Sequence, residues 1–321
     1  MSTLPPTDYT HFTIQPLTLH IGAEVNGIDL SKPLHQDVLD ELCTAFVTWK
    51  VLFFREQCLG HAEHVAFAKQ MGTPTIGHAV FGHVEGFPEV YSIGKHRVAN
   101  STRNQKVTRP WTGWHTDITA AVNPPSASIL RGVDIPPYGG DTYWTNLAMA
   151  CRGLSEPFHR FLETLNGVHQ FEVPQQLTGG TEYSKEIEDR YMESIHPLIT
   201  VHPITGERLL FISPDFIDRI EGLSSQESEM MLEFLWEHAV KPEYTVRYKW
   251  QPGDVAMWDN RSTAHRAPSD IFQTDFDRQL YRVTLVGEPL IGVDGRKSQA
   301  ISGDPILSAD EELRLSTIQS R

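Results

Sequence analysis

Cysteine is scarce: only Cys43, Cys58 and Cys151 occur in 321 residues, and no two form a Cys-x-x-Cys pair. That argues against a closed disulfide framework and against a thiolate zinc site, so the thiols read as inert buried groups in a reducing compartment. Positive charge is also short. Lys and Arg total 27 against 41 Asp and Glu, a formal net charge of −14, and an acidic surface of that kind is a poor partner for nucleic acid. No apolar run is long enough to cross a bilayer, and Met1-Ser2-Thr3-Leu4-Pro5-Pro6 has neither a basic n-region nor an apolar h-region. No membrane association is therefore expected, and a cytoplasmic location is. Internal repeats, low-complexity stretches and a linker-like shift in composition are all missing, which predicts a single domain over 1–321.

What is present is enough apolar residue (40%, with 10% aromatic) for a packed core. The N-terminal part reads as an α/β elaboration. Phe12 to Leu19 alternates like a strand, Asp37 to Trp49 has helical apolar spacing, Val51-Leu52-Phe53-Phe54 is a short buried strand, and His64 to Met71 is a second helix. Beyond residue 85, strands are expected at Glu89–Ile93, Trp114–Thr119, Ser128–Val133, Thr142–Thr145, Leu209–Ile212, Val255–Trp258 and Gln279–Gly287. Ser224-Ser225-Gln226-Glu227 has the form of a capping box, and Leu232, Leu235, Trp236 and Ala239 make an apolar stripe behind it. The fold class predicted is mostly β with flanking helices, as in a sandwich or jelly roll.

Two segments carry chemistry. In Trp114-His115-Thr116-Asp117, a strand period of two would put His115 and Asp117 on one face, an imidazole beside a carboxylate. Far downstream, Trp258-Asp259-Asn260-Arg261-Ser262-Thr263-Ala264-His265 follows an apolar strand, with Arg278 and Arg282 beyond it. Two histidines and one carboxylate are the ligand set of non-haem Fe(II) oxygenases, and a later arginine can clamp a dicarboxylate through two parallel hydrogen bonds.

These residues form an ordered series with Pro124-Pro125, Gly139-Gly140-Asp141-Thr142, His196-Pro197-Leu198-Ile199, His202-Pro203-Ile204-Thr205-Gly206, Leu210-Phe211 and Gly253-Asp254. The series, from about residue 12 to about 297, resembles the Fe(II)/2-oxoglutarate dioxygenases of the taurine dioxygenase (TauD/TfdA) family. The resemblance implies a double-stranded β-helix (jelly-roll) core with helices and an insert around it. Within the insert, between Asp117 and His265, Gly179-Gly180 and the charged run Glu182 to Glu193 lack an apolar stripe and are expected to form a lid at about residues 170–192. The resemblance implies Fe(II) on His115, Asp117 and His265, with 2-oxoglutarate and dioxygen as cosubstrates. Arg278 and Thr142 would hold the distal carboxylate of 2-oxoglutarate. Arg282 would lie near its C1 carboxylate and the substrate anion. Relatives that halogenate lack the carboxylate, so Asp117 implies hydroxylation. A homo-oligomer, dimer or tetramer, is also expected.

By the same resemblance, His78 stands where a sulfonate-binding histidine is expected and pairs with Arg282 as a cationic corner. Trp111, Ile118 and Ala120 fall at other substrate positions. Trp111 replaces a polar amine-binding residue and Ala120 an aromatic wall, which argues against taurine. The stretch Arg282 to Pro289 with Gly292-Val293-Asp294-Gly295 is most similar to the alkylsulfatase branch, implying a small anionic substrate such as an alkyl sulfate or sulfonate. An aryloxyalkanoate or other carboxylate is the alternative substrate, and a non-catalytic jelly-roll protein binding a metal or small anion is the alternative class. His61-Ala62-Glu63-His64 lacks the His-Glu-x-x-His spacing and reads as an exposed helix face. His196 and His202 read as turn and packing residues beside prolines, Trp111, Trp114, Trp144 and Trp258 as core, and Asp259 and Asn260 as supports of the turn before His265.

Overall fold

Strands apolar on both faces organise the chain, because such strands must be covered on both sides. In Val255–Asp259, Val255 and Met257 join one core while Ala256 and Trp258 join another. Val51–Phe54 divides the same way, with Leu52 and Phe54 on one side and Val51 and Phe53 on the other. The computed structural model describes residues 5–78, 82–94, 113–171 and 191–319.

The central sheet has seven strands, in the order Thr13–Pro16, Ala23–Asn26, Val51–Phe54, Val255–Asp259, Ala127–Asp134, Gln279–Leu285 and Tyr91–Gly94. All its pairings are antiparallel except that of Ala23–Asn26 with Val51–Phe54. One face is covered by helices Gln36–Trp49 and His61–Met71, through Leu42, Phe46, Trp49, Val65 and Phe67. The other meets a three-stranded sheet, Thr245–Tyr248, Thr142–Asn146 and Thr263–Arg266. Between the sheets Phe53 stacks on Tyr248 at 3.9 Å, and Trp144 lies 5.7 Å from Trp258. These facing sheets are the expected jelly-roll core.

The insert between Asp117 and His265 adds three strands, Ile217–Ile220, Asn166–Gln170 and Glu193–Pro197, and the helix Ser225–Ala239; Gln299–Ser302, from beyond His265, completes a four-stranded sheet. That helix starts at the expected capping box: Ser224 Oγ accepts from the Glu227 amide, and the Glu227 carboxylate accepts from the Ser224 amide at 2.9 Å. Leu235, Trp236 and Ala239 are buried, with Leu232 half-buried beside them, against Leu147, Ala150 and Cys151. Most of the expected lid, 172–190, lies outside the described residues. No helix among the described residues is long and apolar enough to cross a membrane.

Several expectations need correction. Trp114–Thr119 is not a strand: His115 makes one isolated bridge to His265, and residues 117–120 form a turn. His64 is completely buried rather than on an exposed face, because it is the fourth residue of its helix and Nε2 reaches the Ile129 carbonyl at 3.1 Å. Among the thiols only Cys151 is buried, while Cys43 and Cys58 are exposed.

Candidate active site

His265 sits on the strand Thr263–Arg266, paired with Trp144. Reciprocal backbone hydrogen bonds of 2.9 and 2.7 Å bring His115 across to it, and the two rings lie 4.2 Å apart between centroids. Asp117 enters from the following turn rather than by strand alternation, held in part by Thr116, whose hydroxyl donates to the Thr263 carbonyl at 2.8 Å. Asp117 Oδ1 lies 3.9 Å from His115 Nε2 and 4.0 Å from His265 Nε2, and one donor atom from each residue falls within 4.8 Å of the others. Taking bond lengths of about 2.1 Å to a first-row divalent ion, donors about 4 Å apart can share one ion. Two imidazoles and a carboxylate are a ligand set such an ion accepts.

The two Asp117 oxygens are differently engaged. Oδ2 accepts from the Ser128 hydroxyl at 2.7 Å, Ser128 Oγ accepts from Asn260 Nδ2 at 3.0 Å, and Asn260 Oδ1 accepts from the Trp258 indole at 2.8 Å. Oδ1 accepts from Arg282 Nη1 at 2.6 Å and faces both histidines. Burial alone would raise this carboxyl's pKa. The Arg282 guanidinium, His265, His115 and the Ser128 hydroxyl overcome that and hold it well below the ordinary carboxylate range. Asp117 is therefore an anion aimed at two imidazoles. Arg282 Nε is buried without a hydrogen-bond partner, an orphan donor beside the triad that suits an anionic ligand.

Arg282 belongs to the strand Gln279–Leu285, on the same face as Leu280, so it points between the sheets. Its cross-strand partner is Tyr91, whose ring centroid lies 5.2 Å from the guanidinium carbon. His78 stacks on that ring at 4.8 Å. Gly77 allows the approach: a Cβ there would lie 2.8 Å from the Val90 carbonyl oxygen. Arg278 precedes the strand, and its Nε donates to the Gly140 carbonyl at 3.1 Å. Thr142 is buried two residues beyond, its Oγ1 accepting from the Trp250 indole at 2.9 Å, which leaves the hydroxyl hydrogen to donate elsewhere.

Ala120 is fully buried, and Ile118, half-buried, has φ +44°. A β-branched residue in that region is strained by about 1–3 kcal/mol, and such strain gathers at functional turns. Trp111 lies outside the described residues. Trp114, Trp144 and Trp258 are core residues, as expected. His196 lies on a strand, not in a loop, whereas His202 does fix a turn: its Nδ1 accepts from the Ile204 and Thr205 amides, and its Nε2 lies 2.8 Å from Asp259 Oδ2. Asp259 also accepts from the Arg261 amide and side chain, which ties the turn before His265. Sequence reasoning missed Ser128 and Tyr91. The available signal was a polar side chain on the inward face of an otherwise apolar strand.

The signature described as "Taurine catabolism dioxygenase TauD, TfdA family" matches residues 13–284. An alkylsulfatase of Acinetobacter baylyi is 35% identical over 310 residues, covering 93% of this chain and 92% of its own. An alpha-ketoglutarate-dependent sulfate ester dioxygenase of Pseudomonas putida is 36% identical over 297 residues, covering 89% and 93%. The crystal structure of a taurine dioxygenase from Burkholderia xenovorans superposes with a TM-score of 0.83 at 53% identity, covering 94% of this chain and 98% of that one. With that signature over most of its length, the chain belongs to the TauD/TfdA family of Fe(II)- and 2-oxoglutarate-dependent dioxygenases.

Proposed function

We propose that the whole chain forms one catalytic unit that hydroxylates the sulfate-bearing carbon of an alkyl sulfate, with His115, Asp117 and His265 as the iron ligands. The observation that carries this reading is the convergence of two imidazoles on one oxygen of a buried, ionised Asp117. When bound, Fe(II) with 2-oxoglutarate and dioxygen supplies the oxidising power, and the cosubstrate leaves as succinate and carbon dioxide.

The protein's part is placement. Ser128 holds Oδ2 of Asp117 and so turns Oδ1, the oxygen that faces both histidines, towards the ion. Arg278 and Thr142 hold the distal carboxylate of 2-oxoglutarate, Arg278 being aimed by its bond to Gly140. Arg282, charged and stacked on Tyr91, neutralises anions near the triad, and His78 completes a cationic corner for the sulfate oxygens. Ala120 leaves room for an alkyl chain beside Ile118. The hydroxylated ester then collapses: the new hydroxyl loses its proton, the C–O bond to sulfate breaks, and an aldehyde and hydrogen sulfate leave. Relatives named alkylsulfatase and sulfate ester dioxygenase support this substrate class.

Incubation in air with Fe(II), 2-oxoglutarate and hexyl sulfate tests the proposal. Hexanal, sulfate and succinate are expected in equal amounts. No sulfate from a panel of alkyl sulfates, with succinate formed on phenoxyacetates instead, would overturn the substrate. Absence of 2-oxoglutarate turnover with every substrate tried would overturn the catalytic reading of the triad.

A further inference from the structure

The turn that carries Asp117 is held from outside the jelly roll as well as from within it. Thr119 is fully buried and is gripped twice by histidines of the four-stranded sheet. His196 Nε2 lies 2.7 Å from the Thr119 carbonyl oxygen, which can only accept, so Nε2 carries the hydrogen. Its Nδ1 is then an acceptor and takes the Ser298 hydroxyl at 2.6 Å. His169 Nδ1 lies 2.9 Å from the Thr119 hydroxyl. The two imidazoles are fully buried, 5.0 Å apart and perpendicular, and burial keeps both neutral. A third grip is the Thr116 amide donating to Ser213 Oγ at 3.1 Å. Between these grips lie Asp117 and the strained Ile118. A β-branched residue keeps φ +44° only where its surroundings impose it, and here the residues on either side of Asp117 and Ile118 are held, Thr116 by Ser213 and Thr119 by His169 and His196.

We propose that His169 and His196 are positioning residues for the reaction. Through Thr119 they fix the 117–120 turn so that Asp117 meets the two histidine ligands and Ile118 faces the substrate. The inference rests on Asp117 as an iron ligand. His169 and His196 touch no reacting atom; they act through the turn. Their loss opens the angle between Asp117 and the imidazoles and lets the site consume 2-oxoglutarate without hydroxylating substrate.

The test compares wild type with His196→Leu, His196→Gln and Thr119→Val. Metal-free protein is titrated with Mn(II) by calorimetry, and succinate formed per sulfate released is measured with hexyl sulfate and added ascorbate, the two-electron reductant that takes the unused oxygen atom to water. Loss of outer hydrogen bonds to a metal site loosens it about tenfold or more, and that loss of Mn(II) affinity is expected for His196→Leu and Thr119→Val. Succinate per sulfate should rise at least severalfold in both, with partial recovery in His196→Gln, which retains a donor. Thr119→Val nearly preserves shape, keeps the carbonyl that His196 holds and removes the hydroxyl that His169 holds, so it tests the His169 grip on its own should His196→Leu fail to fold. Folded variants with wild-type Mn(II) affinity and coupling would overturn the positioning role while leaving the triad intact. Failure of the wild-type protein to bind Mn(II) would instead remove Asp117 as a ligand and the inference with it.

Discussion

Each oxygen of Asp117 has its own task, and the residue that separates them is Ser128. Removing that hydroxyl leaves Oδ2 buried without a donor and Asn260 Nδ2 without its acceptor. Ser128→Ala should therefore lower stability by about 1–3 kcal/mol, read as a urea midpoint shift, and weaken Mn(II) binding about tenfold by calorimetry. Unchanged metal affinity would show that Ser128 does not orient the ligand. Arg278 poses a different question, because a lysine keeps its charge and loses the planar fork. In Arg278→Lys the KM for 2-oxoglutarate should rise about tenfold or more, with kcat less affected, in steady-state assays at saturating substrate. An unaltered KM would remove Arg278 from the carboxylate clamp. The triad residues could be read from the sequence because their types and order are chemically unusual together. Ser128 could not, since nothing local distinguishes a serine bonded to a ligand from one merely buried in a strand.

Turns place these side chains, and turns were the least legible part of the chain. The segment Trp114–Thr119 has the composition of a strand, yet only His115 finds a partner strand, and the sheet of the insert captures Thr119 and bends the rest. Local preference lost to contacts made 50 to 80 residues away, which no short window contains. Elements with local signals fared better: the Ser224 cap and the start of Ser225–Ala239 agree with expectation because the hydrogen bonds lie within four residues. The Gly139-Gly140 turn combines both cases. Gly140 has φ +68°, and a Cβ on it would lie 2.8 Å from Arg278 Nε. Gly140→Ala should cost about 1–2 kcal/mol from backbone conformation and raise the KM for 2-oxoglutarate by displacing Arg278. Ser224→Ala should cost about 1 kcal/mol and leave that KM unchanged. Thermal melts and kinetics on the pair separate a turn that aims a side chain from one that only caps a helix.

Across the whole molecule, acid is the condition to which this fold is most exposed, because it buries neutral histidines. Burial and the nearby Arg131 charge lower the His64 pKa to about 3, burial lowers His196 to about 4, and burial with His196 takes His169 well below the ordinary value. For a base whose folded pKa is depressed, the unfolded chain binds the extra proton once pH falls below about 6.5. Stability is thus complete above that pH and declines as pH drops towards the folded value. At pH 5 His64 alone accounts for about 2 kcal/mol by linkage, using 1.36 kcal/mol for each unit between 6.5 and 5. The depressed carboxyls Asp117 and Asp259 contribute stability that is lost only at lower pH, through the ordinary carboxylate range and below. The interval from 6.5 to 5 therefore isolates the histidines. Urea midpoints of the chelator-treated protein should fall steadily across that interval. His64→Gln, which keeps a donor for the Ile129 carbonyl, should flatten the slope even if it lowers the plateau at pH 7.5. Equal slopes in the two proteins would mean that His64 is protonated in the folded state and that its burial beside Arg131 is not what limits acid stability.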